Sequence, residues 1–84
     1  MQAKRTRRRH WPADRIPIER AIMALALETW PQWRTIHELA REIGHQGILT
    51  RCVIELVKIG LLENHGSAIR PTRAAVHLER LTLP

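Results

Sequence analysis

The 84-residue chain has no phenylalanine, no tyrosine, a single cysteine and only four glycines. Three tryptophans are its only large rings, so any core must be mainly aliphatic. Cys52 alone cannot close an internal disulfide, which removes the disulfide framework typical of small secreted domains. No apolar run approaches the roughly 18 residues of a membrane span. None follows the basic N-terminal residues as it would in a secretory signal. These absences lead us to expect a cytoplasmic protein with no membrane partner. The five histidines, at positions 10, 37, 45, 65 and 77, make no metal-ligand spacing with one another or with Cys52. No glycine-rich phosphate loop, nucleophile elbow or paired-acid motif is present. Neither catalysis nor a metal or cofactor is therefore expected.

What is present is positive charge, unevenly placed. The formal charge is +6. Residues 1–15 hold six cations (Lys4, Arg5, Arg7, Arg8, Arg9 and Arg15) against Asp14, a net of +5. Residues 16–84 hold eight cations against seven glutamates, a net of only +1. A dense cationic segment matches a polyanion, because neutralised phosphates release condensed counterions. Residues 1–13 also lack an apolar period and read as disordered when free. We therefore expect a flexible basic arm over residues 1–15 and one folded domain over residues 16–84. In an extended arm, Arg5, Arg7, Arg8 and Arg9 are the candidates for phosphate or minor-groove contact.

The domain reads as a sequence of short elements. Pro17 suits a first helical turn, and Ile18, Ala21, Ile22, Leu25 and Ala26 follow at helical spacing. Pro31 ends that helix near Thr29 or Trp30. Trp30 and Trp33 are expected to pack as lids on the core, with one or two extended residues near Trp33 and Arg34. Thr35-Ile-His-Glu38 is a capping box that opens a second, short helix with Ile36, Leu39, Ala40 and Ile43 inward. Gly44 is its stop. A turn over residues 45–47 leads to a third helix, residues 48–59, with Leu49, Val53, Leu56 and Val57 on one face and Gly60 closing it. Residues 61–63 and 68–70 read as two short strands around the turn Asn64-His65-Gly66-Ser67. Thr72 is the expected N-cap of a last helix reaching about Leu81.

The segment Thr35-Ile-His-Glu-Leu-Ala-Arg-Glu-Ile-Gly44, its turn, and the ending Leu56-Val-Lys-Ile-Gly-Leu-Leu-Glu63 resemble the winged helix-turn-helix of prokaryotic and phage transcription regulators. Arg70-Pro-Thr-Arg-Ala resembles the lead from the wing into the final helix of that family. The resemblance covers about residues 17–81. It implies a mainly α, α+β fold: a three-helix core, a short two-stranded wing and a C-terminal helix. It implies a DNA-binding transcription regulator whose third helix enters the major groove. Carried over by position, Leu49, Val53 and Leu56 match the buried stripe. Gln46, Ile48, Thr50, Arg51 and Glu55 match the outward face, with Gln46 and Arg51 as base readers and Thr50 on a phosphate or a thymine methyl. Thr35 at the second helix is a candidate phosphate holder. His65 and Arg70 are the candidates on the wing.

The chain departs from the usual pattern in two respects. The third helix has only two cations, Arg51 and Lys58, and Ile48, Cys52 and Ile54 give it an apolar surface. That surface equally fits a protein partner, as in small phage- or plasmid-type inhibitors or complex subunits. The arm also fits structured RNA. A homodimer is expected, through the first helix and through Val76, Leu78, Leu81 and Leu83 of the last.

Overall fold

The computed structural model describes the backbone of residues 2–82 and the side chains of residues 15–82. Its elements run α1 (Gln2–Glu28), β1 (Arg34–Thr35), α2 (Ile36–Ile43), α3 (Gln46–Lys58), β2 (Leu62–His65), β3 (Ala68–Pro71) and α4 (Arg73–Thr82). The architecture is mainly helical, with one small antiparallel sheet in the order β1-β3-β2. The sheet thus has three strands where two were expected. The extra strand is the residue pair Arg34–Thr35, which aligns with Ile69 and Ala68 of β3.

α1 starts far ahead of Pro17. Its backbone is helical from Gln2, so the segment expected to be an extended arm continues the first helix. Pro12 and Pro17 each remove one hydrogen bond from the helical ladder. The surrounding residues 2–13 are nonetheless rich in arginine, alanine, lysine and glutamine, all good helix formers. Twenty-seven residues at 1.5 Å each make a rod of about 40 Å, which accounts for most of the longest molecular extent of 46 Å.

Among the described residues, α1 supplies buried side chains from its C-terminal half. Ile18, Ile22 and Ala26 join Leu39 of α2, Leu49, Cys52, Val53 and Leu56 of α3, Leu62 of β2 and Ile69 of β3 in one cluster. Met23, Leu25, Ile36, Ile43, Ile48, Val57 and Leu61 pack around it. Strand alternation sends Ile69 and Pro71 inward and leaves Ala68 and Arg70 on the outer face.

The short elements are set by local chemistry. The Thr35 hydroxyl accepts from the Glu38 N–H at 3.1 Å, and the Glu38 carboxylate accepts from the Thr35 N–H at 3.0 Å. This reciprocal pair closes the capping box. Gly44, at φ 82°, stops α2, and its N–H donates to the Ala40 carbonyl at 2.8 Å. His45 follows in the left-handed region, at φ 51°. The turn is thus Gly44-His45, one residue shorter than expected, and Gln46 and Gly47 belong to the first turn of α3. The hairpin is also tighter than expected: His65 pairs with Ala68, leaving Gly66 and Ser67 as the loop. Thr72 caps α4 by accepting from the Ala75 N–H at 3.2 Å, while its hydroxyl donates to the Gly60 carbonyl at 2.7 Å. Among the described residues, no helix is long and apolar enough to cross a membrane.

Candidate nucleic-acid interface

α3 turns Leu49, Cys52, Val53 and Leu56 into the core. A helix advances about 100° per residue, so the opposite side carries Gly47, Arg51, Ile54 and Lys58. All four are exposed. Gln46 and Thr50 flank this face on one side, Ile48 and Glu55 on the other. The apolar surface read from the sequence is smaller than expected. Cys52 is fully buried and Ile48 is packed against the core, which leaves Ile54, 53% exposed, on the outward face. The reason is periodic: Cys52 lies three residues after Leu49 and four before Leu56, on the inward stripe.

The flanking residues differ in their partners. Gln46 is exposed and lines a shallow cleft with His37, Ala40 and Arg41 of α2. A second cleft joins Gln46 to Thr35, Ile36, His37 and Ser67. The starts of α2 and α3 and the tip of the hairpin therefore meet at one place, fastened by the Ile36 N–H donating to the Ser67 carbonyl at 3.0 Å. Thr50 donates its hydroxyl to the Gln46 carbonyl at 2.9 Å. That leaves its oxygen lone pairs as acceptors only. Glu55 faces Arg15 at 3.8 Å, and Arg15 also approaches Glu19 at 3.6 Å. Arg15, counted with the arm in the sequence, is thus seated between α1 and α3. Burial pushes the Cys52 thiol above its usual range; a hydrogen bond from Arg15 opposes that shift and the Glu19 carboxylate adds to it.

Two expected contacts are already engaged within the molecule. The Thr35 N–H is taken by the Glu38 carboxylate, and the Thr35 hydroxyl oxygen accepts from the Glu38 N–H, which leaves the O–H as its remaining donor. The acidic carboxylate there also disfavours a second anion. Arg70 pairs with Glu63 across the hairpin at 2.8 Å, donates to the Pro31 carbonyl at 3.2 Å, and sits 4.3 Å from the centre of the Trp33 ring. His65 meets the same indole edge to face, at 6.0 Å between centroids. Trp33 is therefore no lid on the core. It stays 41% exposed, on the outer side of the sheet, held by a cation and an imidazole. Trp30 is half-buried, and the bond from it to Pro31 is cis.

Sequence reasoning missed His37 and Arg41 as neighbours of Gln46. Their signal was available: they are four residues apart and alternate with the inward stripe Ile36, Leu39, Ala40 and Ile43. The side chains of Arg5, Arg7, Arg8 and Arg9 lie outside the described residues. Among the described residues, no three His, Cys, Asp or Glu side chains gather as a metal site. Comparison of the chain with protein families, with curated proteins and with solved structures gave no match.

Proposed function

We propose that this chain is a winged helix-turn-helix DNA-binding regulator. In this reading α2 braces α3, α3 enters the major groove, and the β2–β3 hairpin is the wing. One observation carries the reading: the exposed face Gly47, Arg51, Ile54 and Lys58 begins beside the point where α2, α3 and the hairpin tip meet. A helix of this width fits a major groove about 12 Å across. Gly47 lets the backbone approach closely, Arg51 reads guanine, Gln46 reads adenine, and Ile54 meets a thymine methyl. Arg41 and Lys58 take phosphates on either side. Arg70 and Thr35 drop to a supporting role, since their polar groups hold the fold.

The helical course of residues 2–14 favours phosphates over the minor groove for the arm. A helix about 10–12 Å wide with its side chains does not enter a groove about 6 Å wide. Leu78 and Leu81 of α4 are 54% and 67% exposed; they, with Ala74, are the candidate face for a second copy. Val76 is half-buried, and Leu83 lies outside the described residues.

Fluorescence anisotropy of a labelled random duplex at low salt tests the reading. Binding is expected, and R51A should weaken it by about tenfold or more. No binding to duplex by a folded protein overturns it. Exposed Ile54 and Ile59 favour a second reading, a protein partner on α3. In that case I54E abolishes partner capture while R51A leaves duplex affinity unchanged.

A further inference from the structure

α4 presents three different faces. Ala75 is buried beneath it, Ala74, Leu78 and Leu81 form an apolar side, and Arg73, His77 and Arg80 recur on the remaining one. This last face and Trp30, with Ala74 and Val76, line a cleft of about 490 Å³. Among the described residues, no acidic side chain lines it. An adjoining cleft of about 520 Å³ shares Trp30 and Arg73 and adds Arg70 and Glu63, but that glutamate is held by Arg70 at 2.8 Å. Neither cleft includes a residue of α2 or α3, so this place is separate from the α3 face assigned to the major groove.

Among the described residues, the cations here differ from Arg34 and Arg70 and share their lack of an ion pair with Arg20, Arg41 and Lys58. Arg34 is matched by Glu42 at 3.0 Å and Arg70 by Glu63. Among the described residues, Arg73 and Arg80 make no ion pair. Two unneutralised guanidiniums on one face attract an anion, and their planar forks match phosphate oxygens. His77 lies between them, about one helical turn, or ~5 Å, from each, so a phosphate over His77 is within reach of both long side chains. Trp30 lines the cleft, and an indole is a flat apolar surface on which any nucleobase can stack. The volume lies within the range of about 300–1,000 Å³ common for small-ligand sites. It suits one nucleotide and is too small for a duplex.

We propose that the cleft between Trp30 and α4 binds a nucleoside phosphate, with the base against Trp30 and the phosphate held by Arg73 and Arg80. The ligand is either a free nucleotide or a single exposed nucleotide of a strand.

Calorimetric titration of the full chain with adenosine 5′-monophosphate, adenosine, inorganic phosphate and a short single-stranded adenylate oligonucleotide tests this. The monophosphate should bind at least about tenfold more tightly than adenosine or phosphate alone, because it uses both halves of the cleft. R73A/R80A should lower that affinity by about tenfold or more, and W30F should retain it, since a ring remains. R51A should leave it unchanged, so failure of the DNA reading and failure of this one are distinguishable. Both arginines are exposed, so the double variant folds. Should the oligonucleotide bind more tightly through the same arginines, the ligand is a nucleotide within a strand; otherwise it is the free nucleotide. Monophosphate binding no tighter than phosphate, or binding unaffected by R73A/R80A, overturns the proposal.

Discussion

The first fourteen residues carry five cations and one acid, while the remaining seventy carry nine cations and seven acids. The first segment has no apolar stripe; the second holds the packed core of the described residues. One region concentrates charge and the other concentrates packing. Charge density and a packed core are hard to combine in so short a chain, because neighbouring like charges repel and cannot be buried unpaired. Separating them lets the body remain nearly neutral and closely packed. In the proposed role the arm supplies attraction to phosphate and the body supplies geometry.

Several perturbations test that division. The largest effect is expected in the core. L49A removes a fully buried side chain at the centre of α3 and should cost about 2–5 kcal/mol by creating a cavity. Thermal or urea unfolding measures this, and a loss below about 1 kcal/mol means that α3 is not the keystone of the body.

Deleting residues 2–9 attacks the other region. It removes Lys4, Arg5, Arg7, Arg8 and Arg9. Duplex affinity at low salt should fall by about a hundredfold, and the logarithmic salt slope should flatten by up to about 4.5, since each of five phosphate contacts contributes about 0.9. The melting temperature should stay nearly constant. A large drop in melting temperature with an unchanged salt slope would reverse the roles given to the two regions.

A smaller effect sharpens the account of α2. T35A removes the acceptor for the Glu38 N–H and should cost about 1 kcal/mol. Duplex affinity should change little once folding is accounted for, because the Glu38 carboxylate beside Thr35 takes its N–H and repels a second anion. A selective loss of affinity without loss of stability returns Thr35 to the interface.

The smallest effect concerns the outer face of the sheet. E63Q keeps the shape of the side chain and weakens its pairing with Arg70. The pair is partly exposed, so the cost should lie below about 1 kcal/mol. If E63Q strengthens duplex binding, the released Arg70 reaches phosphate, and the hairpin has a larger share in binding than its present contacts indicate.

Much of the body was legible because its signals are local. The capping box needs only Thr35 and Glu38, three residues apart. Gly44 and Gly60 stop helices by adopting positive φ, which a glycine permits at little cost. The inward stripe of α3 follows from spacing alone. The candidate site was legible to the same degree: Gln46 and Arg51 were found on the outward side of α3. Thr50 and Glu55 were also placed on α3, but their partners, the Gln46 carbonyl and Arg15, do not follow from spacing.

What escaped the sequence depended on distant residues or on competing local terms. Extended residues near Trp33 and Arg34 were expected, but their pairing was not: β1 is two residues long, and its partner β3 lies more than thirty residues away. The length of α1 turned on whether Pro17 opens a helix or lies within one, and proline alone does not decide between these.

Taken alone, the amino-acid sequence determined the element order, the caps, the buried stripes and the split between a charged arm and a nearly neutral body. Each of these follows from residues within a turn of one another or from a count. The tertiary structure alone decided which polar groups remain available. Arg70 donates to the carbonyl of Pro31, 39 positions earlier; Trp33 is left outside the core; and Trp30 comes to line one cleft with Arg73 and Arg80. Such arrangements join segments far apart in sequence, and only packing of the whole chain brings them together.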